Sequence, residues 1–276
     1  MEKIVLVLNA HRPDTASIDF ACWIAKLTAA KLTGLLIDEV YAAEAPVFMA
    51  ESSYFDLTLC GETQAGVATE TDRAVKLFLD ECHLKKVAAS ICVVKGEPMQ
   101  QVIAESRFAD LLVIDSAMHF YKEELLLPSH FTKEVLAHAE CPVLLAPAMF
   151  HDIDEIVFCY DGSASSVFAI KQLTYLFPSF ADKNVLLLEV SRLHSRELDE
   201  DHRNMLEWLQ AHYKAVCYQT LKGTVKDELF TFFFMKTRKL VVMGAYGRSS
   251  ISTFFKRSSA DVLIRTVDLP LFITHH

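Results

Sequence analysis

The sequence predicts an α/β protein made of two tandem, doubly wound domains, each with a five-stranded parallel sheet. Short apolar runs of strand length alternate with segments of helical periodicity, and this alternation occurs twice along the chain. The apolar run at residues 155–161 also repeats the pattern of residues 3–9, at an offset of 152. Because each copy is long enough to bury its own core, we expect domains at residues 1–150 and 151–276.

The first copy starts with a strand at residues 3–8, which is continuously apolar after Lys3, as expected for a strand buried on both faces of a parallel sheet. A helix at residues 14–31 follows Pro13, and its apolar residues recur with helical spacing. The remaining predicted elements are a strand at 32–40, a helix at 62–84, a strand at 88–95, a helix at 98–106, a strand at 109–115, a helix at 129–139 and a strand at 141–146.

Residues 41–61 lie between the second strand and the second helix of the first copy, and they mix turn-forming residues with aromatic ones. The segment is too long and too apolar for an ordinary connection between two elements. We therefore expect part of it to pack as a cover or to form the surface for a protein partner.

The second copy repeats the first at several strands. Residues 186–190 match residues 34–38 at the same offset of 152, whereas Lys222 and Gly223 repeat Lys95 and Gly96 at an offset of 127. The connection between the second and third strands is therefore shorter in the second copy. Each copy follows the order β-α-β-α-β-α-β-α-β, and right-handed crossovers then place helices on both faces of the sheet.

Composition and charge argue against several classes of protein. Hydrophobic residues make up 52% of the chain but occur in short runs, none of which approaches the ~20 residues of a membrane helix. A net charge of −9 argues against a nucleic-acid surface, which needs clustered Lys and Arg. The chain begins directly with a strand-like run and carries no secretory signal, so we expect a cytoplasmic protein.

The cysteines, histidines and one aromatic cluster are interpreted as structural. Seven cysteines are scattered without a C-x-x-C pair, and we expect them to be buried, reduced thiols. His194, Glu197, Asp199 and His202 lie close together in sequence but lack a known ligand spacing, so we expect solvated side chains and no metal. Four aromatic residues lie on one helix that is too rich in large apolar residues for one buried stripe, so core packing is the default expectation and the excess could face the other domain: Phe230, Phe232, Phe233 and Phe234.

The most specific candidate for a binding site is the loop that begins at Gly244. An apolar run at residues 240–243 breaks at Gly244 and Gly247, and a Ser-rich helix start follows the loop. Glycines let the backbone approach an anion, and the first N–H groups of the helix point at the same place. Asp161 follows the first strand of this copy, and adjacent first and fourth strands would bring it beside Gly244.

These residues resemble the motif of the universal stress protein family in its tandem, two-domain form. In nucleotide-binding members, the fourth strand leads into Gly, two residues, Gly, nine residues, Gly, and then Ser or Thr. Here Gly244 and Gly247 match, residues 248–256 are the spacer, and Ser258 matches the hydroxyl residue. Arg257 stands where the third glycine belongs. The resemblance implies a Rossmann-like fold of the adenine nucleotide alpha-hydrolase type.

The resemblance also implies how the second domain would hold ATP or a related adenine nucleotide. The acidic residue after the first strand, which contacts the nucleoside, matches Asp161 in the sequence Asp161-Gly162-Ser163, and Val190 matches the end of the strand that lines the adenine pocket. Arg257 could pair with a phosphate through its guanidinium or occupy the space that the phosphate needs. The phosphates would contact Gly244, Ala245, Tyr246, Gly247, Ser258 and Ser259.

Each of these residues also has a purely structural interpretation. Gly244 and Gly247 are compatible with an ordinary turn after a strand. Asp161 or Ser163 would cap the following helix, and Ser258 with Ser259 would cap the last one, whether or not a ligand binds.

The first domain departs further from the family motif. Asn9 replaces the Asp, and Asp115, Met118 and Pro128 replace the three glycines, so that only Ser129 is kept. A phosphate at this position would meet a like charge and bulky side chains. By the logic of the family, the first domain has lost nucleotide binding.

We therefore expect a stress-response regulatory or binding protein and not an enzyme, with a small-molecule nucleotide as ligand. The alternative is a stress-linked interaction or scaffold protein without a nucleotide, which would use residues 41–61 and exposed aromatics; a slow ATPase is a third hypothesis. In this family the fifth strands commonly form the dimer contact. The resemblance implies that this contact forms within one chain here. Association of two such chains into a homodimer is an additional hypothesis.

Overall fold

The structure, a computed structural model, describes residues 1–38, 69–120, 127–191, 200–244 and 257–274, and of residues 257–259 it describes the backbone alone. The segment at 41–61, in which we expect a cover or partner surface, lies outside these ranges. So do the predicted phosphate-loop residues Ala245, Tyr246 and Gly247.

Strands and helices alternate through both halves as predicted. The first half contains β1 (Lys3–Asn9), α1 (Thr15–Thr28), β2 (Lys31–Asp38), α2 (Glu70–Leu84), β3 (Ala89–Lys95), α3 (Pro98–Ser106), β4 (Leu111–Asp115), α4 (His130–His138) and β5 (Val143–Ala146). The second half contains β6 (Glu155–Tyr160), α5 (Ala164–Leu176), a short 3-10 helix (Pro178–Phe180), β7 (Asn184–Ser191), α6 (Glu200–His212), β8 (Ala215–Lys222), α7 (Val225–Phe233), β9 (Lys239–Gly244), α8 (Arg257–Thr266) and β10 (Leu271–Thr274).

Within the described ranges, the ten strands form one sheet in the order β3-β2-β1-β4-β5-β10-β9-β6-β7-β8. Each half has its first strand between its second and fourth, and every pairing inside a half is parallel. This is the doubly wound arrangement, so the predicted fold class is confirmed. Strand ends in such a sheet converge on one edge in each half, which is where ligands bind.

The two halves join edge to edge through their fifth strands. β5 pairs with β10 in antiparallel fashion, with Leu144 opposite Phe272. A strand edge that would otherwise present unpaired N–H and C=O groups is thereby satisfied within the chain. The sheet and the apolar residues on each of its faces run without interruption from one half to the other.

Aromatic packing reinforces this junction. Phe150 follows the last strand of the first half, and its ring lies 4.7 Å from that of Trp23 and 4.8 Å from that of Phe20, both on α1. Trp23 in turn stacks at 6.5 Å on Phe180 of the second half. The rings thus connect α1, the linker and the short 3-10 helix into one cluster that packs against the core.

The strand register corrects one part of the predicted repeat. Leu8 lies opposite Leu36, whereas Tyr160, which is 152 positions after Leu8, lies opposite Glu189. The second strands are therefore related by an offset of 153, and the predicted match of residues 186–190 to 34–38 is wrong by one residue. Val190 corresponds to Ile37 and not to Asp38.

Two predictions about burial are wrong in part. Of the four phenylalanines near the end of α7, Phe233 is fully buried, but Phe230 and Phe234 are 37% and 53% exposed. Among the cysteines in the described ranges, Cys217 is exposed because it lies on β8, at the outer edge of the sheet.

In the part of the chain that the structure describes, no helix combines the length and apolarity needed to cross a bilayer.

Candidate functional site

The predicted site lies at the strand-end edge of the second half. β6 and β9 are parallel neighbours, with Cys159 opposite Met243, so Asp161 and Gly244 follow at the same edge of the sheet. α8 begins at Arg257, on the far side of residues 245–256. The structure therefore brings together the two ends of the predicted motif that it describes, namely the carboxylate after β6 and the first glycine after β9.

Asp161 forms a tight turn between β6 and α5. Its Oδ1 accepts a hydrogen bond from the backbone N–H of Ser163 at 3.0 Å, and Gly162 has a φ of +74°, which favours glycine. Ser163 is the N-cap of α5, since its Oγ accepts from the N–H of Ser166 at 3.1 Å. Asp161 and Ser163 thus hold the turn and cap the following helix, as their structural interpretation predicts. The other carboxylate oxygen of Asp161 takes no part in the hydrogen bond with Ser163.

Gly244 is required by packing between β9 and α5. A Cβ at this position would lie 2.3 Å from the carbonyl carbon and oxygen of Ser165, in the first turn of α5. Only glycine allows the helix to approach the strand this closely. Packing against α5 therefore explains why position 244 has no side chain. The predicted contact of Gly244 with a phosphate is a separate matter.

Val190 lies near the end of β7, opposite Leu221 of β8, and is 7% exposed. It belongs to the apolar cluster that also contains Cys159 and Met243, the last two residues that β6 and β9 pair with each other. Val190 therefore lies on the same face of the sheet as the strand ends that flank Asp161 and Gly244. An apolar wall on this face is what an adenine ring would contact.

The corresponding edge of the first half is closed by its own hydrogen bonds. Ser129 donates its backbone N–H to the carbonyl of Ser116 at 3.1 Å and its hydroxyl to the carbonyl of Met118, and it accepts from the N–H of Thr132 at 3.0 Å. Ser129 and Thr132 are buried, and Met118 is 7% exposed. The polar groups that a phosphate would contact are thus already bonded within the protein.

Asp115 occupies the position of the first family glycine in this half. Its Oδ1 accepts from the N–H of Ala117 at 2.9 Å. Burial raises the pKa of the Asp115 carboxyl, although that hydrogen bond acts in the opposite direction. A partly desolvated carboxylate at this point repels an anion.

A second feature of this edge is a histidine that the sequence analysis did not single out. His11 Nδ1 lies 2.6 Å from Glu70 Oε2, and its Nε2 lies 3.3 Å from Asp38 Oδ1. The hydrogen bond with Glu70 is the main reason that the pKa of His11 is raised above 6.5, and Asp38 adds to it. His11 therefore ties the end of β2 to the start of α2.

The second half contains a histidine on a different element, the helix α6, that also contacts a carboxylate. His202, on the first turn of α6, has its Nε2 3.1 Å from Glu189 Oε2, and the same carboxylate oxygen accepts from the hydroxyl of Tyr218 at 2.5 Å. His202 is 6% exposed, so the expectation of a solvated side chain is wrong for it. His194, Glu197 and Asp199 lie outside the described residues, within which the structure contains no cluster of three or more metal-ligating side chains.

The contact of His11 with Glu70 joins residues that are far apart in sequence, which is why periodicity and motif spacing gave no sign of it. Glu70 is 59 positions from His11, and the fold alone brings them together. The two carboxylates are not equivalent positions of the repeat either, because Asp38 corresponds to Ser191 and Glu189 to Leu36.

The fold is that of an α/β protein with two doubly wound halves. Residues 1–147 match the family model described as the universal stress protein family. The chain belongs to the universal stress protein family, as the sequence resemblance indicated. No curated protein gives a significant match to the chain.

Several solved structures are similar over the whole chain. A universal stress protein from Archaeoglobus fulgidus aligns with a TM-score of 0.66 and 14% identity and covers 98% of both chains. A functionally unknown protein from Pseudomonas aeruginosa aligns with a TM-score of 0.62 and 14% identity, covering 100% of this chain and 92% of the other. The cytoplasmic domain of a prokaryotic cation chloride cotransporter aligns with a TM-score of 0.54 and 9% identity, covering 99% and 94%. At these identities the likeness shows the fold alone.

Proposed function

We propose that the chain is a stress-response regulatory protein whose second half binds ATP or a related adenine nucleotide at the edge formed by β6, β7 and β9. The observation that supports this proposal is the parallel pairing of β6 with β9, because Asp161 follows β6 and the glycine loop starts at the end of β9. The ribose hydroxyls would bond to the free carboxylate oxygen of Asp161, and the adenine ring would lie against Val190.

The phosphates would lie between the loop and the start of α8. Gly244, Ala245, Tyr246 and Gly247 would supply backbone N–H groups, and Ser258 and Ser259 would add those of the first helical turn. Such a helix start attracts anions because its N–H groups lack partners within the helix and carry the positive end of the dipole. The turn of Asp161, Gly162 and Ser163 is held by its own hydrogen bonds, which fix the backbone that carries the Asp161 carboxylate.

We also propose that the first half binds no nucleotide, so that one ligand binds to each chain. The bonded loop around Ser129 and the partly buried carboxylate of Asp115 support this proposal. The protein would then combine one ligand-responsive half with one that is constant in structure, which suits a regulatory protein better than an enzyme.

Calorimetric titration of the full-length protein with ATP tests the proposal. We expect saturable binding with one ATP per chain, and we expect Asp161→Asn and Gly247→Val to weaken it at least tenfold, which corresponds to about 1.4 kcal/mol. Asp115→Asn is the matched control in the first half and should bind ATP as the wild type does. Absence of binding at high micromolar ATP, or an equal effect of Asp115→Asn, contradicts the assignment.

Arg257 can be examined in the same titration. If its guanidinium pairs with a phosphate, Arg257→Gly weakens ATP binding while adenosine binding stays unchanged. If its side chain obstructs the loop, the same substitution tightens ATP binding. Phosphate release from ATP, measured alongside, should stay at the background rate in every variant, because the proposal assigns no group that activates water.

A further inference from the structure

Two cysteines of the first half are in direct contact across a helix–helix interface. Cys22 lies in the middle of α1, Cys82 lies in the last turn of α2, and their Sγ atoms are 3.7 Å apart. Both side chains are buried, with 0% and 1% of their surfaces exposed. They are separated by 60 positions in sequence, so α1 and α2 must pack in register to bring them together.

A charged group lies next to this pair. The ammonium of Lys85 is 2.7 Å from Asp19 on α1 and 2.5 Å from Glu81 on α2, so it bridges the same two helices beside the thiols. The hydrogen bond from the Cys82 thiol holds the pKa of Cys22 below its usual value, and Lys85 acts in the same direction. The same contact, together with burial, raises the pKa of Cys82. One sulfur is thus favoured as the thiolate and the other as the thiol.

The end of α2 offers a route by which a small oxidant can reach the pair. Cys82 belongs to the last helical turn, which is followed by Lys86 in the left-handed region with a φ of +54°. Helix ends open more readily than helix centres, because fewer hydrogen bonds hold them. Opening of this one turn would expose the Cys82 sulfur, which is in contact with that of Cys22.

We propose that Cys22 and Cys82 form a reversible intramolecular disulfide when the protein meets a hydroperoxide. The Cys22 thiolate attacks the peroxide oxygen, giving a sulfenic acid and releasing the alcohol, or water in the case of hydrogen peroxide. The Cys82 thiol then displaces water from that sulfenic acid, and the sulfur–sulfur bond forms. Two thiols lose two hydrogens in total, and the peroxide is reduced by two electrons.

The distance between the sulfurs is compatible with this step. A disulfide requires a sulfur–sulfur separation of about 2.0 Å, which side-chain rotation and a small approach of the two helices supply from the present contact. The bond would join α1 covalently to the last turn of α2, whereas the start of this helix at Glu70 is held by His11. The reaction is independent of nucleotide binding, since neither cysteine belongs to the second half.

Mass mapping of the oxidised full-length protein tests the proposal. The protein is incubated with hydrogen peroxide, its remaining thiols are alkylated under denaturing conditions, and it is digested without reduction. We expect a linked pair of peptides containing Cys22 and Cys82, with the mass of two hydrogens missing, which dithiothreitol separates. Cys217→Ala removes an exposed thiol and is the matched control that should keep the link; Cys22→Ala and Cys82→Ala should lose it.

The wild-type digest decides the question even if a variant folds poorly. If Cys217 becomes oxidised while the peptides of Cys22 and Cys82 remain alkylated and separate, the proposal is wrong. It is equally wrong if either cysteine is found as a sulfinic acid or linked to a different partner. A disulfide between Cys22 and Cys82 that forms only after urea unfolding also counts against it, because the proposed pair is set by the folded contact.

Discussion

Gly244 and Ser165 are packed so closely that the backbone of α5 fills the place of a side chain at the end of β9. This contact joins the two elements that carry the ends of the proposed nucleotide motif. The fold therefore needs glycine at position 244, and the proposed phosphate contact needs it as well. Measurements of stability and of ATP binding separate the two roles.

Replacing Gly244 with alanine should destabilise the protein by about 3 kcal/mol, because the new methyl group overlaps backbone atoms that cannot move independently. Gly34→Ala is the matched control. Its Cβ would lie 3.0 Å from the ring of Phe78, a side chain that can shift, so we expect a loss of about 1 kcal/mol. Urea unfolding measures the stability of both variants. Equal losses of stability would mean that α5 moves away from β9 to make room for the methyl group at position 244.

Phe150→Ala should destabilise both halves together, by about 2 kcal/mol, because the half-buried ring contacts Trp23 and Phe20 at the junction. The chain has two tryptophans, Trp23 on α1 and Trp208 on α6, so single-tryptophan variants report on each half separately. We expect coincident urea transitions at both probes in the wild type. Met149→Ala, at a side chain that is 71% exposed, should leave the midpoint unchanged. Separate transitions in the wild type would show that the shared sheet does not couple the halves.

The contribution of His11 should depend on pH. Its pKa is raised in the folded protein, chiefly by Glu70, so the protonated ring stabilises the fold. This stabilisation is complete below the unfolded value of 6.5 and is lost as the pH rises through the folded pKa. Because His11 is 42% exposed, we expect His11→Gln to cost no more than about 0.5 kcal/mol at pH 5.5 and nothing at pH 8.5. An NMR titration of His11 that gives a pKa below 6.5 would contradict this assignment.

Asp115→Asn should stabilise the protein at pH 7. Burial raises the pKa of this carboxyl, so its ionised form opposes folding above that pKa, and an amide removes the charge while it keeps the acceptor for the Ala117 N–H. The gain should shrink as the pH falls and the wild-type carboxyl takes up its proton. Guanidinium unfolding midpoints of the wild type and the variant are compared at pH 7 and pH 4. A lower midpoint for the variant at pH 7 would show that the ionised Asp115 carboxylate stabilises the fold.

The sheet was predictable because its strands are buried on both faces and are therefore continuous apolar runs, as at β1 and β6. The alignment of β2 with β7 was not predictable, because two differences in loop length between the halves nearly cancel. The turn from Asn9 at the end of β1 to Thr15 at the start of α1 is longer than the turn from Tyr160 to Ala164 in the second half, which instead inserts the short 3-10 helix before β7. Repeats that differ by such compensating changes look aligned in sequence and are displaced by one residue in space.

The candidate site was predictable only at positions with a family motif. Asp161 and Gly244 were placed at one edge because adjacent strands in a doubly wound sheet end together, and the structure bears out that placement. The contacts of His11 with Glu70 and of Cys22 with Cys82 depend on how α2 packs on its neighbours. No local pattern encodes that packing, since each partner is compatible with an ordinary surface or core position on its own helix.

The antiparallel joining of β5 with β10 has a consequence for how the protein can evolve. When two identical chains form such a contact, every substitution appears twice, and a residue that suits one copy must suit the other. Here the two partners are encoded separately, so Asp115 can replace a glycine in one half while Gly244 is retained in the other. Fusion therefore frees each half to specialise, and inheritance of the pair as a single gene product keeps their ratio at one to one.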